Sequence, residues 1–215
     1  MIIRHIGHAE FYIETESGYR LVIDPYDDTC GYPVCHLEAD AVLVSHSHYD
    51  HNAVEVLQGS PAVIDRAGVH TPAPGIRVTA VRGFHDDVSG TKRGETLMFL
   101  IEAEGLRVVH LGDIGCRISD EQNRILHEPD VLMIPVGGFY TIDGKAAAET
   151  AETLNARIVM PMHYKTQYNP DWPISGPEVF LGATGRKQVL RDAEAIRISS
   201  GDKDEQQYNV VLFRQ

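Results

Sequence analysis

Cysteine is scarce in this chain: three in 215 residues, an odd number, at positions 30, 35 and 116. That excludes a disulfide framework and fits a reducing compartment. Cys30 and Cys35 could form a loop bridge or half a metal site, but no second close pair completes a zinc ribbon, so free thiols are expected. Cys116 reads as a small buried filler. No apolar run approaches the roughly twenty residues that cross a bilayer. The opening Met1-Ile2-Ile3-Arg4-His5 is too short and too polar for a secretory signal. The expectation is a cytoplasmic protein without membrane contact. Positive charge is also in short supply. Nineteen Lys and Arg face 31 Asp and Glu, a formal net charge of −12, which argues against a nucleic-acid-wrapping surface. Linkers and low-complexity tracts are missing. The apolar share of 43 % is ordinary for a globular chain, and residues 1–215 suffice for a single domain with a substantial core.

Histidine is what the chain concentrates. His46-Ser47-His48-Tyr49-Asp50-His51 places three imidazoles and a carboxylate within six residues, directly after apolar Ala41-Val42-Leu43-Val44. A pair of histidines two apart is common and reads as solvated surface. The whole pattern His-x-His-x-Asp-His is much rarer, and its groups are the ligand types that bind zinc and similar divalent ions. Alternate side chains of an extended segment point the same way, so His46 and His48 can share one side. Asp50 and His51 then approach from where the chain turns into an expected helix. Four groups aimed at one small volume suit two ions better than one, because a single four-coordinate ion would have no open position.

The rest of the chain reads as many short strands and few helices. Strands are expected at residues 2–6, 11–15, 20–24, 41–44, 62–65, 77–81, 96–103, 107–111, 131–135, 158–162, 195–199 and 207–213, with turns at Ser17-Gly18 and Glu104-Gly105. Helices are expected at 52–58, 121–126, 145–154 and 177–180, with Asp143 capping the third. Early meander strands followed by strand–helix alternation suggest two mixed sheets packed face to face. Residues 27–33 and 86–94 are expected to be the mobile loops, small and polar as the rim of a pocket would be.

The hexapeptide resembles the signature of the metallo-β-lactamase-fold hydrolases. The resemblance extends to Gly83-Phe84-His85-Asp86, His110-Leu111-Gly112-Asp113 and Met160-Pro161-Met162-His163, which occur in the family's order. Gly7-His8-Ala9-x-Phe11, the run from Gly137 to Asp143 and His163-Tyr164-Lys165 look like the small branch that includes ascorbate-6-phosphate-lactonase-like proteins. The resemblance implies an α+β fold, the four-layer αβ/βα sandwich of two mixed sheets with helices on the outer faces. It implies two divalent ions, zinc first, though these nitrogen and oxygen ligands also accept manganese, iron or nickel. By that pattern His46, His48 and His85 hold the first ion, Asp50, His51 and His163 the second, and Asp113 bridges them. Taken singly, His85, Asp113 and His163 would read as a loop histidine, a turn former and a satisfied strand-end residue; their order makes the set. His110 fits a supporting role and His8 a place near the ions. His5, His36, His70 and His127 receive no role.

Two ions sharing a water lower its pKa toward neutrality and polarise the bond to be broken. Asp50 has the added role of orienting that water or receiving its proton. The expected activity is hydrolysis of an ester, lactone or phosphoester of a small anionic molecule. His8, Arg93, Tyr140 and Lys165 are the candidate substrate contacts, the two cations as phosphate or carboxylate grips. Trp172 lines the outer rim or packs on the surface. A phosphodiesterase or nuclease and a non-catalytic metal sensor are the alternatives. A redox di-iron module would want a carboxylate where His48 stands. Homo-oligomerisation is left open by the sequence.

Overall fold

The computed structural model describes residues 1–202 and 207–214. Strands β1 (Ile2–Gly7), β2 (Glu10–Glu14) and β3 (Arg20–Ile23) form an antiparallel meander, extended in parallel by β4 (Ala41–Leu43) and β5 (Ala62–Ile64). A second meander follows: β6 (Gly68–Ala73), β7 (Ile76–Phe84), β8 (Glu95–Ala103) and β9 (Leu106–His110). Parallel β10 (Val131–Pro135) and β11 (Ile158–Met162) continue it. Of the last strands, β12 (Val189–Ala193) and β14 (Val210–Phe213) complete an eight-stranded sheet, order β12-β14-β11-β10-β9-β8-β7-β6. Between them β13 (Ile196–Arg197) crosses to pair with β1, giving a six-stranded sheet, order β13-β1-β2-β3-β4-β5.

Period-two alternation builds the sandwich. Phe11, Ile13, Leu21, Ile23 and Leu43 of one sheet meet Val78, Phe99, Ile101, Met133 and Met160 of the other in one buried core. Their neighbours Met98, Leu100, Leu132, Ile134 and Val159 face the opposite way. Each large side chain so buried contributes about 1.5–3 kcal/mol. The outward set is covered by helices α1 (Asp120–Leu126), α2 (Gly144–Thr153) and α3 (Glu178–Ala183), through residues such as Leu126, Ala147, Ala151 and Phe180. Ser119 and Gln122 form a reciprocal capping box on α1, and Asp143 accepts the amides of Lys145 and Ala146 at the start of α2.

The six-stranded sheet presents Tyr12, Val22, Val42 and Val44 on its outer side, against Ala39 and Leu57. The helix expected at 52–58 is instead a single 3-10 turn, Val54–Val56. Gln58 donates its amide to Leu37 O and bridges Glu38 in parallel, so the chain straightens before an α-helix can propagate. Two strands went unexpected, β6 and β12, and both are sheet edges. No helix among the described residues is long and apolar enough to cross a membrane.

Candidate metal centre

Every candidate ligand follows a strand end, and the strands come from both sheets. The hexapeptide follows β4 of the six-stranded sheet; His85, Asp113 and His163 follow β7, β9 and β11 of the eight-stranded one. Backbone bonds clamp the seam: Leu97 donates to Ser45 O at 2.8 Å and His163 to His8 O at 2.9 Å. Glycine matters at one point above others. Gly112 has φ +51°, and a Cβ there would lie 2.5 Å from Leu97 O and 2.6 Å from Thr96 Oγ1. Only glycine lets the chain turn so tightly and deliver Asp113 inward, where its amide donates to Thr96 Oγ1 at 3.2 Å. His8, Asp24 and His163 also hold left-handed backbone, with φ of 51°, 49° and 50°. Such residues persist where surrounding structure over-determines them, and functional sites concentrate them.

The seven candidate ligands converge. One oxygen of Asp113, Oδ2, lies 3.3 Å from His51 Nε2, 3.3 Å from His85 Nε2 and 3.1 Å from His163 Nε2. His46, His48 and His85 can offer ligand atoms to one point. Asp50, His51 and His163 can do the same at a second, joined there by His8. His46, His51 and Asp113 make a third grouping that spans the two. Asp50, His51, His85, Asp113 and His163 are buried.

Beneath the cluster sits Asp24, which sequence reasoning passed over as the last residue of a strand. It is fully buried; Oδ1 accepts Ser45 N–H at 2.7 Å, and Oδ2 accepts Ser45 Oγ–H at 2.7 Å and His51 Nδ1–H at 3.0 Å. Burial alone would raise its pKa, but His51, with smaller contributions from His110 and His46, brings it below the usual value and keeps the carboxyl ionised. A carboxylate only accepts, so the Ser45 hydroxyl must donate to it. Ser45 Oγ is then an acceptor toward His46 Nδ1, 2.9 Å away. One carboxylate thereby keeps the proton on Nδ1 of both rings, so that each, when neutral, presents an Nε2 lone pair to the cluster. His110 has the supporting role expected of it. Nδ1 accepts the Gly112 amide at 3.1 Å, and Nε2 donates to Ala9 O at 3.0 Å.

The electrostatics call for cations. No Lys or Arg pairs with Asp50 or Asp113; their only ionisable partners in ion-pairing range among the described residues are imidazoles. Burial pulls His46 down to about 3 and His8 to about 4, so both are neutral. Burial would raise Asp113, but His163 and His51 hold it well below the usual carboxylate range. His51 resists burial and is pushed well above its usual value by Asp113 and Asp24. A neutral His51 with its Nδ1 proton on Asp24 would turn a lone pair onto an Asp113 oxygen. In the ion-free protein the proton retained by His51 supplies the positive charge between them, and a bound cation would take that proton's place. His51 Nε2, His85 Nδ1, His163 Nδ1 and Asp113 Oδ1 are all buried with no hydrogen-bond partner among the described residues, an expensive arrangement for a purely structural cluster. The donor set fits divalent ions.

The candidate substrate contacts separate. A cavity of about 330 Å³ opens over the cluster, lined by His48, Tyr49, Asp50, His85, Arg93, Tyr140 and Trp172. Arg93 and Tyr140 are thus at the site, and Trp172 forms a wall, 5.3 Å from the His8 ring. His8 lies beside the cluster, as expected, but not as a substrate contact. It is enclosed, with Nε2 3.1 Å from Asp50 Oδ2, and is absent from the cavity lining. Lys165 is exposed and also outside that lining, because its backbone bonds to Ser175 O and turns away. The 86–94 loop is stitched rather than loose. Asp86 accepts the amides of Val88, Gly90, Lys92 and Arg93 at 2.8–2.9 Å. Burial would raise its pKa, yet these four donors hold it at about 2. Cys30, Cys35 and Cys116 are free thiols, Cys30 buried and the others half-buried.

Residues 2–163 match a family model described as a beta-lactamase superfamily domain. A protein of Thermococcus onnurineus described as a metal-dependent hydrolase is 30 % identical, covering 93 % of this chain and 97 % of its own length. One from Methanosphaera stadtmanae with the same description is 32 % identical over 77 % of this chain and 85 % of its own. A crystal structure from Thermotoga maritima, a candidate Zn-dependent hydrolase of the metallo-β-lactamase superfamily, is 34 % identical. It superposes with a TM-score of 0.82, covering 100 % of this chain and 99 % of that one.

Proposed function

The chain belongs to the metallo-β-lactamase superfamily and is a metal-dependent hydrolase, and from that premise we propose that it works through a dinuclear centre on an ester, lactone or phosphoester bond of a small anionic molecule. The observation that carries this reading is the convergence of His46, His48, Asp50, His51, His85, Asp113 and His163 from two sheets around two buried carboxylates, Asp50 and Asp113, whose ion-pairing partners among the described residues are all imidazoles. His46, His48 and His85 would hold one ion, Asp50, His51 and His163 the other, and Asp113 both. Ions bound there, zinc first, would act as Lewis acids and bring the pKa of an adjacent water toward neutrality.

The protein groups have separate tasks. Asp50 lines the cavity, and its pKa is held low: burial would raise it, but the His8 hydrogen bond and His51 prevail. It is the ionised group available to orient water and accept its proton. His8, bonded to Asp50 Oδ2, fixes the carboxylate's orientation and is a positioning residue. Tyr140 and Trp172 wall the cavity in which the reacting bond would sit. Arg93 supplies positive charge at the mouth.

Metal analysis of purified protein, followed by an activity panel of lactones, phosphodiesters and thioesters, tests the reading. Close to two equivalents per chain and chelator-sensitive turnover of one substrate class are expected. Metal near zero after growth in replete medium, or full activity in excess chelator, would defeat it.

A further inference from the structure

The cavity over the His cluster does not stand alone. A larger one, about 710 Å³, adjoins it, and Arg93 and Tyr140 line both. The two residues form a partition. Arg93 is held there from two directions. Its amide is tied to Asp86 Oδ2 at 2.8 Å, and its guanidinium lies 5.6 Å from the Tyr140 ring and 5.9 Å from Phe139. Aromatic faces on one side fix the plane of the fork and leave its other edge for a ligand.

Charge accounting singles Arg93 out. Six charged side chains line the larger cavity. Lys92 pairs with Asp87 at 3.5 Å and Arg117 with Glu149 at 2.9 Å. Asp86 is spent on four amides and Asp143 on the first amides of α2. Arg93 is the half-buried cation with no carboxylate in ion-pairing range among the described residues. Beyond it and these already matched charges, the wall is apolar Phe139 and Ile142 with backbone, small side chains and hydroxyls, including Gly115, Thr141, Ala146 and Thr150. Such a chamber suits a polar group without charge, and the chain's net charge of −12 disfavours a second negative group.

Resting on the hydrolase reading above, we propose that the substrate is two-part and singly anionic. Its cleavable bond sits in the smaller cavity, one carboxylate or phosphate group docks on Arg93 at the partition, and a neutral polar remainder fills the larger cavity. The acidic group is therefore internal to the molecule, between the reacting bond and the distal portion.

Two arms test this. In the first, inorganic phosphate is titrated calorimetrically into chelator-treated protein, so that it meets no ions. Arg93→Met should weaken binding at least about tenfold, as losing a charged hydrogen-bond donor does. Arg93→Lys should fall between, and Arg117→Gln should stay within about twofold of wild type. Unchanged affinity in Arg93→Met, or equal losses at Arg93 and Arg117, overturns the assignment. In the second, metal-loaded enzyme is given matched neutral and monoanionic aryl esters. Arg93→Met should raise KM for the anionic ester alone, with kcat little changed. A neutral hydroxylated extension beyond the acid should lower KM and a second acidic group should raise it; the reverse order overturns the two-chamber model. Absence of turnover in every variant refutes the hydrolase reading instead, and the phosphate arm still decides Arg93.

Discussion

Asp24→Asn probes the hydrogen-bond chain under the centre with almost no change of shape. Asparagine tolerates the left-handed backbone at φ 49°, so the fold should survive. The Ser45 amide cannot reverse, so the new carbonyl must stay on the side where Ser45 N–H donates at 2.7 Å. The NH2 then lands where Asp24 Oδ2 now accepts from Ser45 Oγ and His51 Nδ1, at 2.7 and 3.0 Å. Ser45 can rotate its hydroxyl. His51 has no such freedom and must move its proton to Nε2, the atom that faces Asp113. Once Ser45 turns, His46 Nδ1 loses its acceptor as well. Partners that set a ligand's tautomer are typically worth about 10- to 100-fold in metal affinity, or about 1.4–2.7 kcal/mol. Zinc affinity measured by competition with a chromophoric chelator should fall by that factor, while circular dichroism stays native. Zinc affinity within about twofold of wild type would refute the tautomer argument, whatever the effect on turnover.

Further outcomes follow from the same geometry. His48→Ala should lower metal content toward one equivalent, whereas Asp113→Ala, which faces three imidazoles, should deplete both sites; metal analysis of folded protein distinguishes them. Gly112→Ala places a methyl 2.5 Å from Leu97 O at positive φ, which should destabilise the protein by about 2 kcal/mol or more and lower Tm by roughly 4–8 °C. An unchanged Tm would mean that the turn relaxes. Asp86→Asn removes two of the four amide anchors' acceptor, so limited proteolysis within 86–94 should accelerate; an unaltered cleavage rate would show that the loop does not depend on this carboxylate.

Most of the fold is legible because burial dictates apolar side chains, alternating where one face of a strand is covered and continuous where both are. Strands at 131–135 and 158–162 are buried along their whole length and appear in the sequence with the bounds they have in the structure. Edge strands carry a weaker signal. In β6, Gly68, Thr71 and Pro72 interrupt the apolar pattern, and Val69 is 56 % exposed. β12 includes Arg191-Asp192, with Asp192 at φ 55° where the register shifts. The apolar spacing of Val54, Val56 and Leu57 mimics a helix, and only a long-range bridge to residues 37–38 shows otherwise. At the site, residues carrying a rare local pattern stand out, whereas Asp24 is an ordinary strand-end aspartate until its distance to His51 is known. Arg93 and Lys165 look equivalent as isolated cations. The Asp86 anchors and the turn after His163 direct one toward the cavity and the other away.

Each proposed ion would draw ligands from both halves of the sandwich: His46 and His48 with His85, Asp50 and His51 with His163. Bound cations would then act as rivets through the joint between the layers. Because the unfolded chain cannot assemble such a grip, occupancy adds directly to the free energy of unfolding, about 2.7 kcal/mol per site when free metal is a hundredfold above its dissociation constant. A cell short of the metal would lose the protein itself to proteases as well as its activity, so abundance would track supply.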